Sequence, residues 1–210
     1  MTPGRIGRPE RLRVAVPAVV ALGANLGDRE ATIAAAVDEL GASDGIRVDA
    51  CSRLFETPAL KPYGVDHDAP AYLNAVALVT TSLEPRALLD VAHAIEQRHG
   101  RVREERWGDR TLDVDIVEFA SLTSDDPELT LPHPRAWERA FVLAPWLDVD
   151  PHARLTGHGS VAELLAATGE HPVAVAPAPA TPRVASSGSS ASPGRAKAHH
   201  SAAKRAGGAA

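Results

Sequence analysis

The sequence predicts an α/β (α+β) domain of the ferredoxin-like kind, a β-α-β-β-α-β chain whose antiparallel sheet has its helices packed on one face. Three observations predict it. Short β-patterned runs and two segments of helical spacing occur in that order. The two middle β runs follow one another across a loop, with no helix between them. Glycine or proline punctuates most of the junctions.

Residues 1–16, rich in Gly, Pro and Arg, read as a disordered basic leader, and the domain is expected over 17–170. Strand one is expected at 18–22. A signal peptide is disfavoured because the apolar run is short and holds Pro17. Gly23-Ala-Asn-Leu-Gly-Asp28 is a turn. Residues 29–41 carry Ile33, Val37 and Leu40 at helical spacing and stop at Gly41. Residues 46–55 alternate as a strand, 56–70 form a loop with three prolines, and 72–80 alternate again. A helix opening at Ser82 or Glu84 carries Leu88, Leu89, Val91, Ala92 and Ile95, and Gly100 ends it. Residues 101–110 are a loop, and 111–119 a strand with Leu112, Val114 and Ile116 on one face. A short helix at 161–167 closes the fold. Residues 171–210, almost all Ala, Pro, Ser, Gly, Lys, Arg and His, cannot bury enough apolar surface to offset chain entropy and read as a disordered basic tail.

The chain has 210 residues, enough for one ordinary domain, with 44% hydrophobic and 23% charged residues. One cysteine, Cys51, excludes an internal disulfide and fits a reducing, cytoplasmic setting. No apolar run approaches the roughly 18 residues of a membrane span. Net charge is −5, but residues 14–170 hold 13 bases against 26 acids. So acidic a domain makes a poor nucleic-acid surface.

Against that background, the segment 101–115, RVREERWGDRTLDVD, stands apart. It holds Arg101, Arg103, Arg106 and Arg110, then Asp113 and Asp115 two residues apart on a strand. Residues two apart face the same side. Two adjacent carboxylates repel unless a cation lies between them, and magnesium takes one or two carboxylates plus substrate phosphates. Arginine binds phosphate oxygens through a planar fork. Together they point to phosphate-chain chemistry, with a solvated outer strand face and arginine pairing to Glu104, Glu105 or Asp109 as the plain alternatives.

Other residues carry two readings each. Trp107 is a lid packed on the core or a cap on a ring. Tyr72 and Asn74 share a strand face and could hold a flat heterocycle, with Phe141 as the opposite stacking face; a half-buried tyrosine is the plain alternative. His133, in Pro-His-Pro, contacts phosphate or satisfies a backbone carbonyl. Glu96 bonds a ribose or base, or is an ordinary helix glutamate. Gly23 and Asn25 could let a ligand approach the backbone. No Walker loop, Gly-x-Ser-x-Gly or zinc spacing is present.

Five segments together resemble the 6-hydroxymethyl-7,8-dihydropterin pyrophosphokinase family: Gly23-Ala-Asn-Leu-Gly; Phe55-Glu-Thr-Pro; Tyr72-Leu-Asn-Ala-Val; Arg101-Val-Arg through Arg106-Trp-Gly-Asp-Arg-Thr-Leu-Asp-Val-Asp; and Leu131-Pro-His-Pro-Arg through Phe141-Val-Leu-Ala-Pro-Trp. The resemblance covers about residues 17–168. It implies a ferredoxin-like domain that transfers the β,γ-diphosphate of ATP to the pterin hydroxymethyl group, giving AMP on the route to folate. It implies that Asp113 and Asp115 bind two Mg²⁺ ions, with Arg101 and Arg110 gripping the transferring phosphates. Glu96, Arg103, Trp107, Thr130, His133 and Arg139 would contact ATP. Tyr72 and Phe141 would sandwich the pterin, Asn74 would bond its edge, and Thr57, Pro58 and Leu60 would complete the pocket. A monomer acting on ATP and the pterin, without nucleic acid or membrane, is expected.

The chain departs from the family pattern at Asp109, where proline is usual, at Pro134, and at Glu128, where some members carry an ATP-binding arginine. No fused aldolase of the folate pathway is expected in 210 residues. Two other functions fit parts of the sequence. A ferredoxin-like RNA-binding module would need more aromatic residues than two tyrosines and three phenylalanines provide. A Mg-dependent nucleotidyltransferase would release pyrophosphate instead of AMP.

Overall fold

Strand β1 (Arg11–Ala24) forms the spine of the sheet because its apolar residues alternate onto both faces. The structure, a computed structural model, describes residues 11–61, 64–66, 68–100 and 111–180. Helix α1 (Arg29–Ala42) starts where Asp28 caps the Ala31 N–H at 3.0 Å, and it buries Ile33, Ala36, Val37 and Leu40. Gly45, at φ +92°, turns the chain into β2 (Ile46–Cys51). A Cβ there would sit 3.0 Å from Ser82 Oγ, so both conformation and space call for glycine.

The run expected as one strand over 46–55 is two, β2 and β3 (Leu54–Thr57), both pairing antiparallel with the long β6 (Tyr72–Leu83). Ser52 makes the break. Its N–H donates to the Val76 carbonyl at 2.9 Å, and its hydroxyl accepts from the Val76 N–H at 3.0 Å, standing in for a ladder carbonyl. Arg53 then swings outward onto Asp148, with its N–H and its Nε both donating at 2.9 Å. A small hairpin, β4 (Ala59–Lys61) with β5 (Gly64–Asp66), occupies the expected loop.

Helix α2 (Pro85–Arg98) opens with proline at its first position, where the missing N–H costs nothing, and buries Leu88, Ala92 and Ile95. Strand β7 (Asp113–Phe119) returns beside β1. A hairpin, β8 (Ser124–Asp126) with β9 (Leu129–Leu131), leads to a single 3-10 turn at Ala136–Glu138 and then α3 (Ala140–Val149). Hairpin β10 (Arg154–Leu155) with β11 (Gly159–Ser160), helix α4 (Val161–Thr168) and strand β12 (Val173–Ala176) complete the described chain.

The main sheet runs β12-β3-β6-β1-β7, with β2 also on β6, and every pairing is antiparallel. The chain is thus a mixed α/β domain with an antiparallel sheet. Three sequence expectations are corrected. Residues 11–16 belong to β1, not to a disordered leader. Val173–Ala176, placed in the tail, pairs with β3 as an edge strand. The sheet is covered on both faces. Ala18, Val20, Leu22, Leu73, Ala75, Val79, Val114 and Ile116 pack with α1 and α2. Val19, Val76 and Val117 pack on the opposite face with Val142, Leu143, Trp146 and Val161 of α3 and α4. No helix among the described residues is long and apolar enough to cross a membrane.

Candidate active site

The face under α3 and α4 changes character toward the C-terminal end of β1. Register sets the neighbours: Asn74 of β6 lies opposite Gly23 of β1, which lies opposite Asp113 of β7. One row further in, Val76, Ala21 and Asp115 are aligned in the same way. By strand alternation, Tyr72, Asn74, Asp113 and Asp115 share the face of the apolar Val76 and Val117. The polar row thus directly continues an apolar one.

The middle strand contributes only Ala21 and Gly23 to this floor, which keeps it low. A Cβ at Gly23 would lie 3.3 Å from Asn74 Oδ1 and 3.9 Å from Tyr72 Cδ1, so both side chains lean over the bare backbone. Asn74 is 5% exposed. Its Nδ2 donates to Thr57 Oγ1 at 2.9 Å, on the strand alongside. That bond spends a donor of the amide on the wall and turns the acceptor oxygen toward Gly23. Pro58 is exposed just beyond Thr57, and the Leu60 side chain lies outside the described residues.

Across β1, Asp115 faces two groups from the chain after β9. His133 Nε2 is 3.8 Å and an Arg139 terminal nitrogen 3.9 Å from its Oδ2. His133 is held at both ends: its N–H donates to the Val117 carbonyl at 2.9 Å, and its Nδ1 accepts from the Arg135 N–H at 3.2 Å. Burial first, then the nearby Arg139 charge, pushes the His133 pKa down to about 4. The ring is therefore neutral at pH 7, its Nε2 carries the proton, and its contact with Asp115 is not an ion pair. Arg139 stands just before α3, with its guanidinium carbon 5.5 Å from the centre of the Phe141 ring. Its Nε is buried without a hydrogen-bond partner among the described residues, an orphaned donor on the site's rim.

The donor chemistry fits magnesium. Two hard carboxylates on one strand face are the ligand type this ion takes together with waters and phosphate oxygens. No group of three or more His, Cys, Asp and Glu able to hold a metal occurs among the described residues.

The structure thus brings together two of the expected clusters: Thr57, Tyr72 and Asn74 on one side of β1, and Asp115, His133 and Arg139 on the other, with Asp113 next to Gly23 and Phe141 beside Arg139 at the start of α3. Two expected ATP contacts sit differently. Glu96, at 2% exposure, turns inward and its Oε1 accepts from the Val114 N–H at 2.9 Å, bracing α2 against β7. Thr130 spends its hydroxyl donor inside the β8–β9 hairpin, on the Asp126 carbonyl at 3.1 Å. Arg101, Arg103, Trp107 and Arg110 lie outside the described residues. Sequence reasoning missed Arg86. Its guanidinium pairs with Glu128, the residue expected to weaken an ATP contact, and lies 3.8 Å from Asp126. Arg86, Leu89, Asp90, His93 and Glu128 line a cavity of about 350 Å³ between α2 and that hairpin. Only the arginine at the second position of a predicted helix could have signalled it.

Comparison with known proteins bears directly on this arrangement. Residues 19–151 match the family described as 7,8-dihydro-6-hydroxymethylpterin-pyrophosphokinase. A 2-amino-4-hydroxy-6-hydroxymethyldihydropteridine pyrophosphokinase of Methylorubrum extorquens is 43% identical over 71% of this chain and 91% of its own length. One from Pseudomonas aeruginosa is 43% identical over 70% of this chain and 89% of its own. Among solved structures, a Plasmodium falciparum HPPK-DHPS crystallised with pteroate shares the fold at a TM-score of 0.56 and 14% identity, covering 73% of this chain and 43% of that one. On this sequence match, the chain belongs to the 7,8-dihydro-6-hydroxymethylpterin-pyrophosphokinase family.

Proposed function

We propose that this chain transfers the β,γ-diphosphate of ATP to the hydroxymethyl group of 6-hydroxymethyl-7,8-dihydropterin, giving AMP and the pterin diphosphate, a step of folate biosynthesis. The observation that carries the reading is the Asn74–Gly23–Asp113 row. It sets a wall suited to a flat polar ring one strand away from a carboxylate pair suited to a phosphate-bound cation.

The pterin hydroxymethyl oxygen bonds to the β-phosphorus while the bond from that phosphorus to the bridging α,β-oxygen breaks. The electron pair leaves on AMP, and the hydroxyl proton passes to water. Little covalent help is needed; positioning and charge neutralisation supply the rate. Tyr72 and Phe141 stack on the ring, and the Asn74 oxygen accepts from its edge. Asp113 and Asp115 would hold Mg²⁺, which supplies Lewis-acid stabilisation of the phosphates. His133 presents a neutral Nε2–H donor, and Arg139 a fixed cation with a donor to spare, to phosphate oxygens. By the family resemblance, Arg101 and Arg110 grip the transferring group and Arg103 and Trp107 the nucleotide. Glu96 serves as a brace. Strand order β7-β1-β6-β2 with two crossover helices supports reading the core as ferredoxin-like. A cytoplasmic monomer fits the single free cysteine, Cys51.

The test is product identity. Protein, ATP, Mg²⁺ and hydroxymethyl-dihydropterin should yield AMP in step with pterin consumption. ADP as the sole nucleotide product, or AMP formed without pterin, would refute the assignment.

A further inference from the structure

We infer that Arg29 is a positioning residue for the ring-binding wall, clamping the start of β6 and the end of β3 in the geometry that receives the pterin. The inference rests on the functional reading above. Arg29 is the first residue of α1, just past the turn after β1. One of its terminal nitrogens donates to the Ala71 carbonyl at 2.7 Å and to Glu56 Oε1 at 3.0 Å. Ala71 immediately precedes Tyr72, and Glu56 immediately precedes Thr57. Thr57 and Tyr72 are the last pair in the β3–β6 register, so Ala71 lies one residue outside the ladder. A side chain from a third element, not a strand partner, holds it there.

The same turn adds a second contact. Asn25, 3% exposed, donates from Nδ2 to the Pro70 carbonyl at 3.3 Å. Successive carbonyls, Pro70 and Ala71, are therefore gripped from the segment 25–29. The lead-in to Tyr72 is fixed before any ligand arrives.

The two arms of Arg29 differ in weight. Its pairing with Glu56 is partly exposed on both sides, 30% and 42%, and such pairs contribute little. The bond to Ala71 is shorter and part-buried, a charge-assisted bond to a backbone oxygen that fixes chain direction. The Ala71 arm is therefore the one that counts. Without it the ring wall would be ordered only at binding, and an ordering cost of that kind falls on pterin affinity alone. It would not touch the nucleotide, for which the described candidates His133 and Arg139 stand beside Asp115, across β1.

The test compares KM for pterin, KM for ATP and kcat in wild type, Arg29→Ala, Arg29→Lys and Glu56→Gln, with Tm measured for each. Arg29→Ala should raise the pterin KM about tenfold, leaving kcat and the ATP KM within about twofold. Arg29→Lys should fall between, since an ammonium keeps the charge and can donate to both oxygens but ends one bond short of the guanidinium nitrogen. Glu56→Gln should stay within about twofold of wild type. Should Arg29→Ala fail to fold, Arg29→Lys against Glu56→Gln decides on the same readouts. An unchanged pterin KM in the arginine variants, or equal rises in both KM values, overturns the proposal. AMP production by the wild type separates this failure from failure of the functional reading, which would show as no pterin-dependent AMP at all.

Discussion

The two faces of the sheet are built from the same strands and do opposite things. Under α1 and α2, alternate residues from Ala18 to Ala24 and from Leu73 to Val79 are apolar and buried along the whole length. Under α3 and α4 the apolar set is short: Val19, Val76 and Val117, then Ala21, then the polar row of Asn74, Gly23 and Asp113. The first face is a continuous core. The second is core for half its length and carries the candidate site along the rest. A strand that contributes Leu22 to the core contributes Gly23, its next residue, to the floor of the candidate site. Stability and chemistry are thus separated by a rotation of one residue rather than by distance.

The sharpest way to break this contrast is substitution on either side of the sheet. Asp115→Asn on β7 should lower kcat by about two to three orders of magnitude while Tm stays within a few degrees. Near-normal turnover would remove Asp115 from the machinery. On the other face, Leu40→Ala in α1, fully buried against the sheet, should cost about 2–5 kcal/mol of folding stability in urea, with activity at low temperature retained. Gly23→Ala tests the floor itself. The added methyl would press on Asn74 Oδ1 from 3.3 Å, so pterin affinity should fall about tenfold with little loss of Tm. A loss of folding instead would place Gly23 with the core.

The smallest effect concerns Cys51. Burial pushes its thiol up to about 12 from an ordinary 9.0. The folded state therefore holds the proton between those values, and thiolate forms later than in the unfolded chain as pH rises. A thiol reagent at pH 8 should react slowly with native protein and fast in denaturant. Equal rates would mean that β2 opens readily at that edge.

What the sequence disclosed follows the same division. The inner faces of α1 and α2 show helical spacing because their outer faces are polar, and Asp113 and Asp115 were legible as a same-face pair. Helix α3 left no such stripe. With Val142, Leu143, Ala144, Pro145 and Trp146 all buried, it is apolar nearly all round and holds a proline, so neither its existence nor the second covered face could be read. Strand β12 was hidden for the reverse reason. Its valines point outward, Val173 at 69% exposed, and it is held by backbone pairing within an Ala/Pro-rich run. The break at Ser52 depends on one hydroxyl replacing a carbonyl, which no periodicity records. Glu96 looked like a ligand residue because it lies near the arginine segment in sequence, but the helix turns it toward β7.

Asn74 and Asp113 stand on strands separated by one other, so their backbones lie about 10 Å apart, twice the interstrand spacing. Hydrogen-bond geometry sets that interval, and no side-chain substitution can stretch it. On the proposed assignment of Asn74 to the ring and Asp113 to the phosphate-bound cation, the sheet would act as a ruler between the two. Engineering this scaffold toward another acceptor would therefore succeed by reshaping the wall around the ring, while the reach from ring to reacting hydroxyl stays prescribed by the backbone.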